Sequence, residues 1–500
     1  MKQCLIIFTF IFAHSILFSQ SGFSTIIPRS QEYVEGIAMP AIELTKNKIV
    51  VVSVSSYRTQ YGSTAFYNEL NANGELVVSK TYLDSLNRIL CYHAIYLDSN
   101  ILMCGTKNIL KDSIHNAYVA KLNSNFDTIW TKEYPSIEQR NFPSFGKIIK
   151  TKSGHICMVG VDNQNNSATD PNRNNAMIKL IDNNGNDKNL HYLPKKYPRD
   201  LETYNSVVED SYGYLYACGL VIAFKNIPFI VKYDQNGNFI WRKEYEDPSY
   251  GEGFADGKLL KDGSLIFTGT RLKLFTAEDW QQFITTIDTA GNVIFKKIFL
   301  GGYKCETKHC VQDDSENLIC AGQIIETIQS KGSKAWLIKF SYKGDSIWEK
   351  RYESNWSGRN ARFENISKSS DGGYYLTGVN WIPENNSGRA WVVKTDSNGC
   401  IVPGCTTDFI TEREPHKDLF LLSPNPSQDY VNVYINDAEF YDRKYDLYLY
   451  DQQGRIVQRQ VVQGRVTQLD LSSLSAGMYY YRIVDERNKV RQSGKVVVNG

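Results

Sequence analysis

Methionine is scarce in this chain, 6 of 500 residues, and histidine is scarcer than a metal-rich protein needs, 7 in all with His14 among them. No block of five or more basic residues occurs, and 56 Lys+Arg against 54 Asp+Glu leave a net charge of +2. Binding a polyanion through bulk field needs a basic excess or a basic block, so nucleic acid is excluded as a partner. HExxH, GxSxG and a phosphate-cradling glycine loop are all absent, and with them the local signatures of zinc proteases, serine hydrolases and P-loop enzymes. No cofactor is expected. Beyond the N-terminus no apolar stretch approaches the length of a membrane span, so none is expected.

What is present is aromatic: 32 Tyr, 23 Phe and 8 Trp, with 35 Gly. Aromatics suit a half-buried pleated surface, so this Tyr-rich composition leans towards β-structure. At 500 residues the chain is too long for one ordinary core and has room for about three domains.

Met1-Lys2-Gln3-Cys4 precedes an apolar run from Leu5 to about Phe18, followed by Ser19-Gln20-Ser21-Gly22. This order of basic, apolar and small residues predicts a secretory signal peptide over 1–19. His14 interrupts the run, which is short for a membrane anchor. Cys4 lies before the apolar run and no cysteine follows at the cleavage point, which argues against a lipid anchor.

At the other end, Leu422-Ser423-Pro424-Asn425-Pro426 opens a series of alternating strands that predicts a small β-sandwich. They include Tyr430–Ile435, Tyr445–Tyr450, the turn Asp451-Gln452-Gln453-Gly454-Arg455, Ala476-Gly477-Met478-Tyr479 and the basic last strand with Lys495. In its Pro424-Asn425-Pro426 opening, its Gly454 hairpin, its Gly477 to Tyr479 strand and its Lys495 strand, this region resembles a known family. It is the type A C-terminal sorting domain of cargo for the type IX secretion system of Gram-negative bacteria. The resemblance covers 418–500 and implies recognition by the secretion machinery. It further implies export across the outer membrane, removal of the domain, and release or attachment to surface lipopolysaccharide. A short linker is expected at 406–417.

Between these ends the sequence repeats. Gly74, Phe126, Gly185, Gly237, Gly291, Gly344 and Gly399 mark successive turns at spacings of 52, 59, 52, 54, 53 and 55 residues. Eight residues later stand Tyr82, Tyr134, Leu193, Tyr245, Phe299 and Tyr352, and four later Trp130, Trp241, Phe295 and Trp348. Upstream, a second signature ends at Gly105, Gly160, Gly219, Gly269, Gly322 and Gly378, with Ser53 in its place in the first repeat. Four strands per repeat at this period predict a seven-bladed β-propeller over 20–405, favoured over a β-solenoid, whose coils are shorter. The seventh repeat lacks a fourth strand, and the segment Gly22–Pro28 is expected to supply it and hide the open edge. The region also resembles secreted propeller-like repeat proteins found ahead of such sorting domains, which lends a fold and no activity.

Nine cysteines remain after the signal. Cys400 with Cys405, and Cys305 with Cys310, are the disulfide candidates. His309 beside the latter pair gives only three soft ligands, so no metal is expected. Cys104, Cys157, Cys218 and Cys320 read as small buried apolar residues. The Asp-x-Asn-Gly turns lack the alternating acids of a calcium loop and read as hairpin turns. Lys121, Lys232, Lys339 and Lys394 share one third-strand position and read as solvated or strand-paired. Asp-Ser/Thr pairs such as Asp127-Thr128 and Asp345-Ser346 resemble O-glycosylation sites of bacteria using this export route.

The connections from strand two to three and from blade to blade are long, and strand alternation puts both sets on one rim. They carry Tyr57, Tyr61, Asp170, Arg173, Tyr250, Trp280, Trp356, Arg359, Trp381, Glu384 and Arg389. Aromatics beside Arg and carboxylates suit ligand binding by stacking and fixed hydrogen bonds, although any one of them could equally pack its own loop. The candidate ligand residues are Tyr57, Trp280, Trp356, Arg359, Trp381, Glu384 and Arg389. The expected function is a monomeric, non-catalytic surface or secreted binding protein for a glycan or protein. A glycan hydrolase or lyase using Glu278, Asp279, Glu326 or Glu384 stands as an alternative, as does a structural surface component.

Overall fold

A computed structural model of the chain describes residues 22–499, apart from 28–32, 58–62, 83–86, 110–113, 136–140, 165–174, 195, 197–199, 274–279, 300–303, 327–331, 354–359, 383–386, 402–407, 410–419, 424, 436–442 and 487–489. The signal segment 1–19 lies outside these residues. The chain divides into two units, one ending at Phe409 and one beginning at Ile410.

The first unit is a ring of seven antiparallel four-stranded sheets, the first six running in chain order from the axis outwards and the seventh completed by an N-terminal strand. The innermost strands are Tyr33–Thr45, Asn87–Leu97, Asn141–Lys150, Leu201–Glu209, Tyr250–Leu259, Lys304–Gln312 and Ala361–Lys368. Blades five and six are linked by one parallel pairing, Trp280 with Lys304. Apolar layers fill the gaps between blades, for example Tyr204, Val207 and Phe229 of blade four against Cys157, Val159 and Ile178 of blade three.

The repeat signature has a physical cause at each position. The glycines between strands three and four hold φ from 75 to 83° in six blades, a conformation that costs a side-chain-bearing residue. All but Gly237, which meets Leu180 and Asn189, also receive the preceding blade's outer-strand aromatic. A Cβ on Gly291 would lie 2.8 Å from the Trp241 ring, and one on Gly344 3.0 Å from Phe295. The fourth-strand tyrosine completes the joint: Tyr245 Oη donates to Gly291 O at 3.0 Å and Tyr352 Oη to Gly399 O at 2.7 Å. Phe126, which fills the glycine position in blade two, sits at φ 69° and stacks on Tyr67 at 5.1 Å.

Ring closure follows the same rule. Phe23–Ile26 pairs with Ser387–Thr395 and becomes the outer strand of blade seven. A Cβ on Gly74 would come within 2.3 Å of Phe23, and Thr25 Oγ1 donates to Gly74 O at 2.7 Å. Phe23 and Thr25 thus take the parts that Trp and Tyr play elsewhere. Trp391 Nε1 donates to Ser24 Oγ at 2.9 Å, and Ile27 is fully buried.

One expectation is corrected here. Cys305 and Cys310 lie on the same strand, where five residues of extended chain separate Cα atoms by roughly 16 Å, beyond the reach of any disulfide. Cys310 instead bonds Cys320, its register partner on the next strand, with Cα atoms 4.1 Å apart, while Cys305 is buried with its Sγ 3.6 Å from Trp280 O. Cys320 is therefore half of a disulfide and not simply a packing residue. Cys400 is disulfide-bonded; Cys405 lies outside the described residues. Cys91, Cys104, Cys157 and Cys218 are buried thiols. Within the stretch read as linker, Asp408–Phe409 adds to the outer edge of blade six.

The second unit packs a three-stranded sheet and a four-stranded sheet around one core that includes Val431, Val433, Leu447, Leu449, Ile483 and Val496. It is an all-β sandwich. No helix among the described residues is long and apolar enough to cross a membrane.

Candidate functional site

A cavity of about 540 Å³ occupies the propeller axis, and every inner strand contributes to its wall. Each contribution includes one residue left unpaired in the ladder. In each inner strand the register slips by one residue: between Cys91 and His93, Phe145 and Lys147, Tyr204 and Ser206, Phe254 and Asp256, Thr307 and His309, and Phe363 and Asn365. Such a bulge re-aims the extra side chain. The residues so extruded are Tyr92, Gly146, Asn205, Ala255, Lys308 and Glu364, joined by Met39 where blade one slips between Ala38 and Ala41. All seven are half-buried and all seven line the cavity.

In blades two to seven a glycine inside the second strand, not at its end, makes the bulge possible; blade one slips with Ser53 in that place. A Cβ on Gly219 would lie 1.8 Å from Thr203 O, and one on Gly322 1.9 Å from Glu306 O. Only a residue without Cβ lets the bulged inner strand come this close. The bulge residue stands fourteen positions before that glycine, or thirteen in blade two.

One residue further along each inner strand is a second ring: Pro40, His93, Lys147, Ser206, Asp256, His309 and Asn365. Six of the seven are polar. Of these His309 alone lines the cavity; Lys147, His93 and Asp256 stand against its ring and, with Ser206, make a polar layer behind it that serves as the floor. Asp256 is its hub. It accepts from Ser206 Oγ at 2.5 Å, Gly257 N at 2.9 Å, Cys310 N at 2.9 Å and Lys258 Nζ at 2.9 Å, and Lys147 Nζ stands at 3.5 Å. Lys147 Nζ lies 3.1 Å from His309 Nδ1, and the His93 and His309 rings are 5.5 Å apart. Burial opposes ionisation of Asp256, but Lys147 and Lys258 outweigh it and hold the carboxyl well below its ordinary range. Burial, reinforced by Lys147, pushes His309 down to about 4 and His93 well below its usual value. Both imidazoles are neutral at pH 7.

Above the floor the wall carries Trp280, Arg271, Glu306, Asn205 and Asn226. The Arg271 guanidinium lies 3.4 Å over the Tyr250 ring and bonds Asp247 at 3.2 Å, a planar clamp held by stacking and charge. Burial raises the neighbouring Glu252 carboxyl although Lys296 lies 2.6 Å away. Glu306 is tied to Gln323 at 2.7 Å and Lys308 at 3.1 Å, and Glu364 to Arg362.

Of the candidate ligand residues that are described, Trp280 alone stands in the cavity wall, half-buried, with Lys304 Nζ 5.8 Å from its ring. Trp381 and Arg389 are half-buried on adjacent strands of blade seven, and Trp381 Nε1 is buried without a hydrogen-bond partner among the described residues. Tyr57 ends a strand of blade one, its side chain outside the described residues. Trp356, Arg359 and Glu384 also lie outside them, as do Tyr61, Asp170, Arg173, Glu278 and Asp279. Glu326 is bound by Lys334 at 2.9 Å and Arg351 at 2.7 Å.

The third-strand lysines hold turns rather than ligand. Lys339 and Lys394 pair with Asp313 and Asp371 at 2.8 Å, while Lys121 and Lys232 donate to Asn183 O and Thr289 O. The Asp-x-Asn-Gly carboxylates are likewise consumed locally. Asp182 accepts from Asn184 N, Asn186 N and Asn186 Nδ2, an arrangement repeated at Asp234.

In the second unit Asn425 and Pro426 are joined by a cis peptide. Asn425 Nδ2 donates to Lys495 O at 2.8 Å and its Oδ1 accepts from Val497 N at 2.9 Å, tying the opening motif to the last strand. Pro424 lies outside the described residues. Gly454 turns its hairpin at φ 78°, Gly477 pairs with Val498, and Tyr479 Oη donates to Ser475 O at 2.9 Å.

Residues 422–499 match the family described as Secretion system C-terminal sorting domain. No curated protein matches the chain. Among solved structures, a protein of unknown function from Dyadobacter fermentans DSM 18053 is similar at 11% identity and TM-score 0.40, over 65% of this chain and 95% of that one. An ulvan lyase of a polysaccharide lyase family shares 11% identity at TM-score 0.41, over 69% and 89% of the two chains. An ancestral GH74 enzyme shares 12% at TM-score 0.41, over 94% and 63%. Likeness at this level carries no functional argument, and the propeller rests on its own strand order. Residues 422–499 are thus a type IX secretion C-terminal sorting domain, which indicates export by that system, and they follow an all-β propeller in the chain.

Proposed function

We propose that this exported protein is a binding protein whose ligand enters the axial cavity from the rim carrying the long loops. The observation that supports this most is the ring of bulges. Seven blades each extrude one residue into a single cavity, and the residues differ in every blade. A purely structural axis has no need of seven bulges, each of which leaves ladder groups unpaired. Trp280 and the Tyr250–Arg271 clamp add the stacking and fixed hydrogen bonding that a saccharide or an extended peptide would use.

Hydrolysis by paired carboxylates is less well supported. A glycosidase acid must hold its proton near neutrality. Lys334 and Arg351 overcome burial and hold Glu326 below its ordinary range, and Glu306 and Glu364 are both tied to cations.

The test uses the full mature chain on an array of polysaccharides and matrix proteins, with product release followed on the same samples. Saturable binding without cleavage is expected, weakened about tenfold or more by Trp280→Ala, as loss of one buried aromatic anchor implies. Cleavage of the bound ligand would replace a binding role with an enzymatic one. Binding indifferent to Trp280→Ala would remove the cavity from the reading.

A further inference from the structure

The cavity floor carries hydrogen-bonding groups that the chain itself leaves unused, and each of them can donate. Asp256, the floor's one carboxylate, has about four acceptor sites and receives four hydrogen bonds shorter than 3 Å before Lys147 is counted. Little capacity remains on it for a cation. Two lysines, Lys147 and Lys258, share that single negative charge. Around them stand three polar atoms with no partner among the described residues: Thr307 Oγ1, His93 Nδ1 and Asn365 Nδ2. Their residues are 2%, 8% and 3% exposed, so bulk water does not satisfy them. Thr307 lines the cavity, and His93 and Asn365 each follow directly on a cavity-lining bulge residue, Tyr92 and Glu364. Lys308, paired with Glu306 at 3.1 Å and with its side chain 40% exposed, adds a cation on the bulge ring immediately above.

We propose that the floor of the axial cavity is a subsite for an anionic group of the ligand, a carboxylate or a sulfate, received by Lys308, Thr307 and His309 and backed by Lys147, His93 and Asn365. This inference rests on the reading of the cavity as the ligand site and names the ligand's chemical class. A metal ion fits poorly: among the described residues no group of three His, Cys, Asp or Glu side chains is placed to hold one. An anion supplies what the floor lacks, acceptor atoms for its free donors and a second negative charge for its lysines. The depression of both imidazoles agrees with this, because Lys147 adds to the effect of burial on each. The small bulge residues Gly146 and Ala255 leave room beside Asn205 for a group to descend to the floor.

Titration calorimetry of the full mature chain at constant ionic strength tests this with D-glucuronate, inorganic sulfate and D-glucose as probes. Glucuronate or sulfate is expected to bind at least tenfold more tightly than glucose, and which of the two binds identifies carboxylate or sulfate as the fitted group. Thr307→Val, nearly isosteric and removing only the free hydroxyl, and Lys308→Met, on a partly exposed side chain, should each weaken the anion at least fivefold. Glucose binding as well as the anions, no binding by either anion, or anion binding unchanged in both variants would overturn the proposal. A neutral array ligand whose binding depends on Trp280 would leave the cavity reading standing while this inference fails. Anion binding that survives Trp280→Ala but falls with Thr307→Val would do the reverse for Trp280 as an anchor.

Discussion

At the scale of single residues, the glycines inside the second strands of blades two to seven are the parts on which the site depends. Gly219→Ala would drive a Cβ to 1.8 Å from Thr203 O, which is backbone and cannot swing away. Relief requires moving the inner strand and with it Asn205. The expected cost is about 3 kcal/mol or more, from overpacking and a disturbed bulge, read by denaturant unfolding. A loss below about 1 kcal/mol would show that the bulge is not held by this contact. These glycines were visible in the sequence as a repeat mark, but their meaning was not. The bulge residue varies from Met39 to Tyr92, Gly146, Asn205, Ala255, Lys308 and Glu364, so composition gives it no signature. Only its fixed offset from the glycine could have found it, and that offset acquires meaning once the two strands are known to pair. Cys305 and Cys310 failed for a related reason: closeness in sequence reads as closeness in space unless the segment is known to be extended.

At the scale of the strand and blade, far more was legible. Turn spacing, strand count and closure by the N-terminal segment all follow from local chemistry repeated seven times, because hairpin turns and strand alternation are short-range rules. The closing strand gives a direct prediction. Phe23 seats against Gly74 and packs on Tyr375, so Phe23→Ala removes a buried ring between the first and last blades. A loss of about 3 kcal/mol is expected. Ile27→Asp, placing a charge where Ile27 is fully buried, should go further and open the ring. The freed edge of Ser387–Thr395 then becomes available for pairing, so self-association in light scattering should accompany the lowered melting temperature. A monomeric Ile27→Asp protein of unchanged melting temperature would contradict this closure.

At the scale of the whole molecule, the floor makes the propeller sensitive to acid. His309, held at about 4, and His93, held well below its usual value, bind fewer protons folded than unfolded between about pH 6.5 and 4. The unfolded chain takes up the extra protons, so their contribution to stability is complete above about pH 6.5 and is lost as the pH falls. The slope is at most about 1.4 kcal/mol per pH unit for each histidine. Thermal unfolding between pH 7.5 and 4.5 should show this decline, and His309→Gln, which keeps an acceptor for Lys147, should flatten it. Export depends on the other unit. Asn425 bonds both Lys495 O and Val497 N, so Asn425→Ala should destabilise the sorting domain by about 1–2 kcal/mol and reduce the exported fraction measured in cell fractions.

The central claim is that the ligand occupies the axial cavity, and Gly146 permits a direct test. Its backbone is not in the left-handed region, and a Cβ there would meet nothing closer than Tyr204 O at 4.0 Å. Gly146→Tyr therefore fills the cavity from the bulge ring without crowding the blade. The measurement is the affinity of the full mature chain, wild type and Gly146→Tyr, for whichever array ligand it binds, alongside the melting temperature of each. Binding lost by a hundredfold or more at an unchanged melting temperature is the expected result. Equal affinity in a folded Gly146→Tyr protein would place the ligand outside the cavity and contradict the claim.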